Sequence, residues 1–545
     1  MKQIISKVLV GTLLLGAVAC TANYDDINSN PYQPGDLSPD DYALGSAMNA
    51  LASSVISSDV NTAQFTDVLL GGPLGGYYAP AKDGWNSITI ANYNPTDDWT
   101  NVFLKSDKVL PVLFTNLSIL KTASEQTSNP VPYAIGTIIK VAAMHRIADT
   151  YGPIPYSQIG EDGNIKTPYD PLEKVYAKFF DELDEAIATL NEHSGVSLMA
   201  TVDYVYGGEV KKWIKFANSL KLRLAIRIAY TDFTSSKGKT SGQLAEEAVN
   251  DPGGLIESNE DNAAWNYFST TENPIYTAVN YNKVTSHEDG TACITTGDTH
   301  AAADIVCYMN GYEDPRREKY FTKSEWPGID YVGLRHGITI PNHASIGHKY
   351  SGVNIKSNAP LQWMNASEVA FLRAEGVAVF GFNMGGTAKD FYEQGVRLSF
   401  EQWGVEGADE YLMREDVIPE TYDDPSGSND YAVQLSNLSV KWVDGDKEQM
   451  QERIMIQKWI ANWQLGNEAW ADYRRTGYPR LIPASRDGNK SGGIVNSDLG
   501  ARRMPYPNDE YVSNADNVAK AVAEYLKGPD NMATDLWWAC KNKKN

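Results

Sequence analysis

Residues 170–192 read DPLEKVYAKFFDELDEAIATLNE. Val175, Phe179, Leu183, Ile187 and Leu190 recur every three or four positions, while Asp181, Glu182, Asp184 and Glu185 fill the other side. That spacing is the mark of an amphipathic helix whose apolar stripe must be covered by a neighbour. Asp170-Pro171 predicts its start, a capping residue followed by a proline in the first turn. The pattern repeats downstream in Val210, Trp213, Ala217, Leu220, Leu224 and Ile228, so the two helices are expected to form a helical hairpin. Working outward, helices are predicted over residues 365–380, 389–403, 447–473 and 515–526. Met450, Ile454, Trp459, Ile460 and Trp463 run along the longest of them, and Val518, Val522 and Tyr525 along the last. Helix pairs of this size predict a mainly α protein built as a tetratricopeptide-like helical-repeat scaffold.

Two stretches break the rhythm. Residues 71–94 are rich in glycine, tyrosine and asparagine, and residues 259–360 mix short apolar runs with Gly, Asn, Thr, His and aromatics. Irregular segments on a rigid helical frame are where binding residues usually sit. Tyr77, Tyr78, Trp85 and Tyr93 cluster in the first, with Asn86, Asn92 and Asn94 between them. A sugar ring has apolar C–H faces and polar edges, which suits a flat aromatic beside an amide. Trp85, Asn86, Tyr77, Tyr78 and Tyr93 are therefore candidate ligand contacts. Tyr281, Trp326 and Tyr331, with Tyr276, are candidates for an opposite wall. Trp99 follows Asp97-Asp98 at a predicted helix start and reads as packed. Trp213, Trp459 and Trp470 sit among apolar residues at helical spacing and read as core.

The N-terminus carries Lys2 and Lys7, an apolar run from Val8 to Ala19, and then Cys20. This is an export leader over residues 1–19. It is too short for the roughly 20 apolar residues of a spanning helix. A cysteine at the cleavage point marks a lipid-attachment site, although Ala17 stands where Leu is usual. Residues 20–545 show no Pro/Ser-rich linker and are expected to form a single domain with irregular inserts near 71–94 and 259–360. The formal charge is −22. A surface so acidic repels nucleic acid, and no nucleic-acid partner is expected.

Other chemistries leave weak traces. Gly71 to Gly76 lacks the Gly-Lys-Ser/Thr of a phosphate loop. His336, His343 and His348 do not share a helical face, and no metal or other cofactor is expected. Asp423, Asp424, Asn429 and Asp430 lack EF-hand spacing. Cys293 and Cys307 are either bridged or two free thiols. No Gly-x-Ser-x-Gly elbow or zincin motif appears, so catalytic residues are expected to be none.

Several motifs occur in a fixed order: Tyr24 to Pro31, Tyr151 to Tyr156, Trp213 to Arg223, Glu368 to Glu375, Gln457-Lys458-Trp459, Arg474 to Pro479, Arg502 to Pro507, and Trp537-Trp538. In that order the chain resembles the SusD/RagB family of nutrient-binding outer-membrane lipoproteins, in a branch divergent from the starch-binding founder. The resemblance implies a non-enzymatic, cell-surface glycan-binding lipoprotein with an oligosaccharide ligand. It also implies delivery of that ligand to a TonB-dependent SusC-like transporter, and anchoring in the outer membrane through lipid on Cys20, facing the cell exterior. A peptide-binding member of the family, and less so a surface glycoside hydrolase, are the alternatives.

Overall fold

The structure is a computed structural model that describes residues 39–86, 88–96, 109–159, 166–266 and 271–540. The leader, Cys20, the Tyr24–Pro31 motif and Trp99 lie outside the described residues. The fold is mainly helical. Helices α1 (Pro39–Ala52), α2 (Val60–Ala63, running on through a π-helical stretch Gln64–Gly71), α3 (Leu110–Thr127), α4 (Val131–Tyr151), α5 (Leu172–Glu192), α6 (Val210–Arg227) and α7 (Ser241–Asn250) form the N-terminal part. Apart from α2, each packs on the next, α1 on α3, α3 on α4, and so on to α7, so every apolar stripe meets a neighbour. This is the helical-pair stacking that the sequence spacing predicts. Helices α8 (Ala366–Glu375), α9 (Ala388–Gln402), α10 (Lys447–Ala461) and α11 (Gly466–Thr476) follow. Of these, α8, α9 and α10 pack mutually, and α8 also lies on α6. Among the described residues no helix is long and apolar enough to cross a membrane.

The predicted stripes are core. Val175, Phe179, Leu183, Ile187 and Leu190 on α5, and Val210, Trp213, Ala217, Leu220 and Leu224 on α6, are all buried. Two of the buried indoles keep a hydrogen-bond acceptor: Trp213 Nε1 donates to Asp203 Oδ2 (2.7 Å) and Trp470 Nε1 to the Ala501 carbonyl (2.9 Å).

Two boundaries differ from expectation. Pro171, not Asp170, immediately precedes α5. The Asp170 carboxylate accepts instead from Ser157 N (2.7 Å) and Lys174 Nζ (2.6 Å), tying the helix start to the preceding loop. The helix expected over 447–473 is two helices, α10 and α11, broken at Asn462–Leu465 with Gln464 at φ 80°. The break lets Gly466 meet Gly71 backbone to backbone. A Cβ on Gly466 would lie 2.4 Å from the Gly71 carbonyl carbon, and one on Gly71 would lie 2.7 Å from Asn467 N. The glycine run at 71–76 is thus a crossing point between helices and serves packing.

Arg474 and Arg475 are placed by more than the helix dipole. Arg475 forms a two-pronged pair with Glu375 of α8 (2.7 and 2.8 Å) and reaches Asp472 Oδ1 (3.2 Å). Lys458 of α10 donates to Asp472 Oδ2 (2.7 Å). Arg223 of α6 grips Glu368 of α8 through Nε and Nη2, both at 2.7 Å, and Arg227 donates to Glu468. All are buried. Burial alone would raise the Glu468 and Asp472 carboxyls. The surrounding cations overcome it, Arg227 foremost at Glu468 and Lys458 at Asp472, and hold both below the ordinary carboxylate range.

Removing one partner of such a pair leaves an uncompensated buried charge. Arg475→Ala is expected to lower unfolding free energy by about 3–5 kcal/mol, read by urea denaturation. A second expectation concerns histidines. Burial, then the Arg223 charge, lowers His145 to about 3, and burial, then His343, lowers His300 to about 3. The unfolded chain takes these protons near pH 6.5, whereas the native state resists them until about pH 3. Stability from these neutral imidazoles is therefore full above pH 6.5 and falls as pH drops below it. The slope is on the order of 1.4 kcal/mol per pH unit per histidine. Denaturant midpoints measured from pH 7 to pH 4 should fall, and His145→Gln should make the fall shallower.

Candidate ligand-binding face

A short ribbon brings the two irregular stretches together. Strand β1 (Tyr78–Pro80) pairs antiparallel with β2 (Thr299–Ala301), with Tyr78 opposite Ala301 and Pro80 opposite Thr299. The pairing runs on as Ala81 N donates to the Asp298 carbonyl (2.7 Å). A third segment joins where Leu334 N donates to the Ala301 carbonyl (2.9 Å). The ribbon therefore delivers residues 82–86, 281–298 and 336–349 to one edge.

Burial sorts the predicted contacts. Tyr77, Tyr78 and Tyr93 are core, at 0, 1 and 6 % exposure, which corrects the expectation of a tyrosine-lined loop. Tyr77 stacks on Trp459 with ring centroids 5.6 Å apart, and its hydroxyl donates to the Trp459 carbonyl (2.5 Å). Tyr78 lies edge-on to Trp463 at 5.3 Å. Strand pairing with a segment more than 200 residues away buries side chains that the local composition assigns to a surface loop.

Trp85 ends a 3₁₀ turn (Asp83–Trp85) and is half-buried, packed against the edge of the core. Lys82 Nζ lies 5.3 Å from its ring centroid. Asn86 is committed to the scaffold: its Oδ1 accepts from Ile340 N (2.7 Å) and its Nδ2 donates to the Ile340 carbonyl (3.3 Å). Asn342 Nδ2 donates to Asp83 Oδ2 (3.0 Å), fixing the turn from the other side. Beside it, the buried Asp298 carboxylate accepts from Asn282 Nδ2 (2.8 Å) and lies 4.0 Å from Lys82 Nζ. Burial raises the Asp298 carboxyl above its ordinary value despite Asn282 and Lys82. Half-buried Tyr281 is anchored through its carbonyl, which accepts from Asp298 N (2.7 Å).

Trp326 is also half-buried. It lies edge-on to Tyr350 at 5.8 Å, with Lys349 Nζ 5.2 Å from its ring centroid. Residues 342–349 link the two tryptophans, contacting Asp83 at one end and Trp326 at the other. Trp85, Tyr281 and Trp326 are thus tied to segments that the one ribbon brings together, with Lys82, Asp83, Asn282 and Lys349 as polar groups beside them. Tyr331 belongs elsewhere. It lines a separate cleft of about 380 Å³ with Asn310, Arg317 and Asp423. Half-buried Tyr276 lies on the Pro274–Val279 helix. Nothing in the spacing of Lys82, Asp298 or Asn342 marks them as neighbours, because only the ribbon brings them together.

Two other sequence candidates are resolved. The Asp424 carboxylate accepts from the Tyr350 hydroxyl, from Ser426 N and Oγ, and from Asn429 N and Nδ2, so it braces its own loop. Cys293 and Cys307 are buried free thiols.

Comparison with known proteins agrees with this architecture. Residues 26–539 match the family model described as SusD-like, Susd and RagB outer membrane lipoprotein. A solved SusD homologue from Bacteroides uniformis is 61% identical over 91% of this chain and 99% of its own, with a TM-score of 0.87. One from Bacteroides ovatus is 38% identical over 92% and 99%, with a TM-score of 0.81. A chitin-binding SusD homologue from Flavobacterium johnsoniae is 32% identical over 91% and 98%, with a TM-score of 0.80. No functionally curated protein matches the sequence. With a family model spanning nearly its whole length and a mainly helical fold shared with solved homologues, the chain belongs to the SusD-like family of outer-membrane lipoproteins.

Proposed function

We propose that this protein is a non-catalytic glycan receptor at the cell surface, passing oligosaccharide to a TonB-dependent SusC-like transporter in the outer membrane. The observation that carries the reading is the face bordered by half-buried Trp85, Tyr281 and Trp326. Its aromatic edges alternate with Lys82, Asp83, Asn282 and Lys349, the mixture that a sugar's apolar faces and hydroxyl edges require. Family membership and the 32%-identical chitin-binding homologue support a carbohydrate rather than a peptide ligand. Lysine ammonium groups lie close to both indoles, so a stacking sugar takes the ring face turned away from the lysine or displaces it. A receptor tethered by lipid at Cys20 gains local concentration at the membrane, and modest affinity then suffices.

A glycan array probed with the purified protein, chitin oligosaccharides included, identifies the ligand. Trp85→Ala is then expected to weaken binding about tenfold in isothermal titration, since a stacked aromatic adds on the order of 1 kcal/mol beyond burial. Because Trp85 lies at the core's edge, the melting temperature should move by only a few degrees. Unchanged affinity would remove Trp85 from the site, and a large loss of stability would assign it to the core. For the anchor, Cys20→Ala should abolish labelling by a palmitate analogue and release folded protein from the membrane fraction. Equal labelling of variant and wild type would reject lipidation at Cys20.

A further inference from the structure

Behind the face lies a cluster that the glycan reading does not use. Residues 285–293 form a small hairpin. Ser286 pairs with Ala292 antiparallel, His287 N donates to the Thr291 carbonyl (2.8 Å), and Cys293 N donates to the Thr285 carbonyl (3.2 Å). Its closure brings Cys293 Sγ to 3.6 Å from His287 Nε2. Glu325 enters from the Trp326 loop, with Oε2 3.1 Å from His287 Nε2. His348 completes the group, its Nε2 3.4 Å from the same Glu325 oxygen. The four donor atoms all lie within 4.8 Å of one another.

Two of these atoms make no well-formed hydrogen bond. His348 is only 4% exposed, and its Nε2 has no hydrogen-bond partner, nor has the buried Glu325 Oε2 beside it. Unpaired buried polar atoms are costly, and here both point at one spot. The remaining atoms of the same side chains are held in place. His348 Nδ1 lies 3.1 Å from the His343 carbonyl, which can only accept. The neutral imidazole therefore carries its proton on Nδ1 and presents the Nε2 lone pair to the cluster. Glu325 Oε1 accepts from Ile294 N (2.7 Å), and Glu325 N donates to the Lys349 carbonyl (2.7 Å). This outer layer of hydrogen bonds is what orients metal ligands.

We infer that His287, Cys293, Glu325 and His348 form a binding site for one Zn²⁺ ion. Zinc bonded to nitrogen and oxygen at roughly 2.0–2.1 Å and to sulfur at roughly 2.3 Å in a tetrahedron spaces its ligand atoms roughly 3.2–3.8 Å apart. Two of the three separations above, 3.4 and 3.6 Å, fall in that range and the third is 3.1 Å; with all four atoms within 4.8 Å, a small adjustment of the side chains completes the tetrahedron. One thiolate and two imidazoles select zinc over calcium or magnesium, which take oxygen ligands. All four positions are filled by protein, so the site is structural. It clamps the hairpin following Tyr281 to the two loops that carry Trp326 and Lys349. The expectation that the chain holds no metal rests on His336, His343 and His348. Of these, His336 faces Asp304 (3.4 Å) and His343 faces the Gly297 carbonyl (3.1 Å). Only His348 turns to the cluster, and His287 lies 61 positions before it in the sequence.

The full-length protein, purified in detergent, is stripped with a chelator and titrated with Zn²⁺ and separately with Co²⁺. The expected result is one metal per chain by elemental analysis. Co²⁺ should give the intense visible bands of a tetrahedral ion and a near-ultraviolet thiolate charge-transfer band. Zinc should raise the melting temperature. Cys293→Ser should abolish the charge-transfer band, and His287→Ala, at a side chain 32% exposed and so tolerant of change, should weaken zinc binding at least tenfold. Folded wild-type protein that takes up neither ion would overturn the assignment. So would a charge-transfer band and zinc affinity undiminished in both variants.

Discussion

Five cations and five carboxylates meet in the interior, shielded from bulk solvent: Arg223, Arg227, Lys458, Arg474 and Arg475 with Asp149, Glu368, Glu375, Glu468 and Asp472. A buried charge is tolerable only beside its counter-charge, so each pair dictates where two helices must lie relative to one another. Arg223 and Glu368 fix α6 on α8, Arg475 and Glu375 fix α11 on α8, and Lys458 and Asp472 fix α10 on α11. Apolar stripes alone permit helices to slide past one another, whereas these contacts admit one alignment. Arg474 is held between the indoles of Trp470 and Trp538, 3.5 and 5.0 Å from their centroids, and donates to the Asp149 carbonyl (2.6 Å). Six of these ten residues, Arg223, Glu368, Glu375, Lys458, Arg474 and Arg475, lie in the ordered motifs that the sequence shares with the family.

The helical part of the fold was legible because its information is local. The stripes of α5 and α6 need only a period of three to four, and Gly477, at φ 82°, closes α11 as a glycine at that place should. The break between α10 and α11 was not legible, since the contact that it permits, Gly466 on Gly71, spans almost 400 positions. The aromatic loops failed for the same reason. Tyr77 and Tyr78 carry the composition of a surface loop, but β1 finds its partner at residues 299–301 and the rings turn inward onto Trp459 and Trp463. Trp85, just beyond the end of β1, keeps the half-exposed place that the sequence suggested. The histidine ligands share no local period, so no spacing rule could have joined them.

The scaffold and the candidate face are thus built on different principles. The helices are held by paired charges and filled apolar layers, and their side chains have little freedom. The face is held by backbone pairing and by side chains bonded to backbone, such as Asn86 to Ile340 and the His343 ring to the Gly297 carbonyl. Such ties fix a loop's path without prescribing the side chains that project from it. If the proposed site is right, substitution at Trp85, Tyr281 or Trp326 would retune recognition while the frame stays unchanged.

The crossing of Gly71 and Gly466 also sets an order of events in the life of the chain. Asn467 Nδ2 donates to the Thr66 carbonyl across 401 positions, and the Tyr77 hydroxyl reaches the Trp459 carbonyl across 382. The segment from Thr66 to Tyr77, made early, has partners near residues 459–467, made late. While the sequential helices can cover one another as they are made, the 66–77 segment stays without its late partners until residues near 466 arrive. Contacts so distant in sequence are slow to form and leave sticky intermediates. A chain assembled in this way gains from being kept apart from other chains until its second half is delivered.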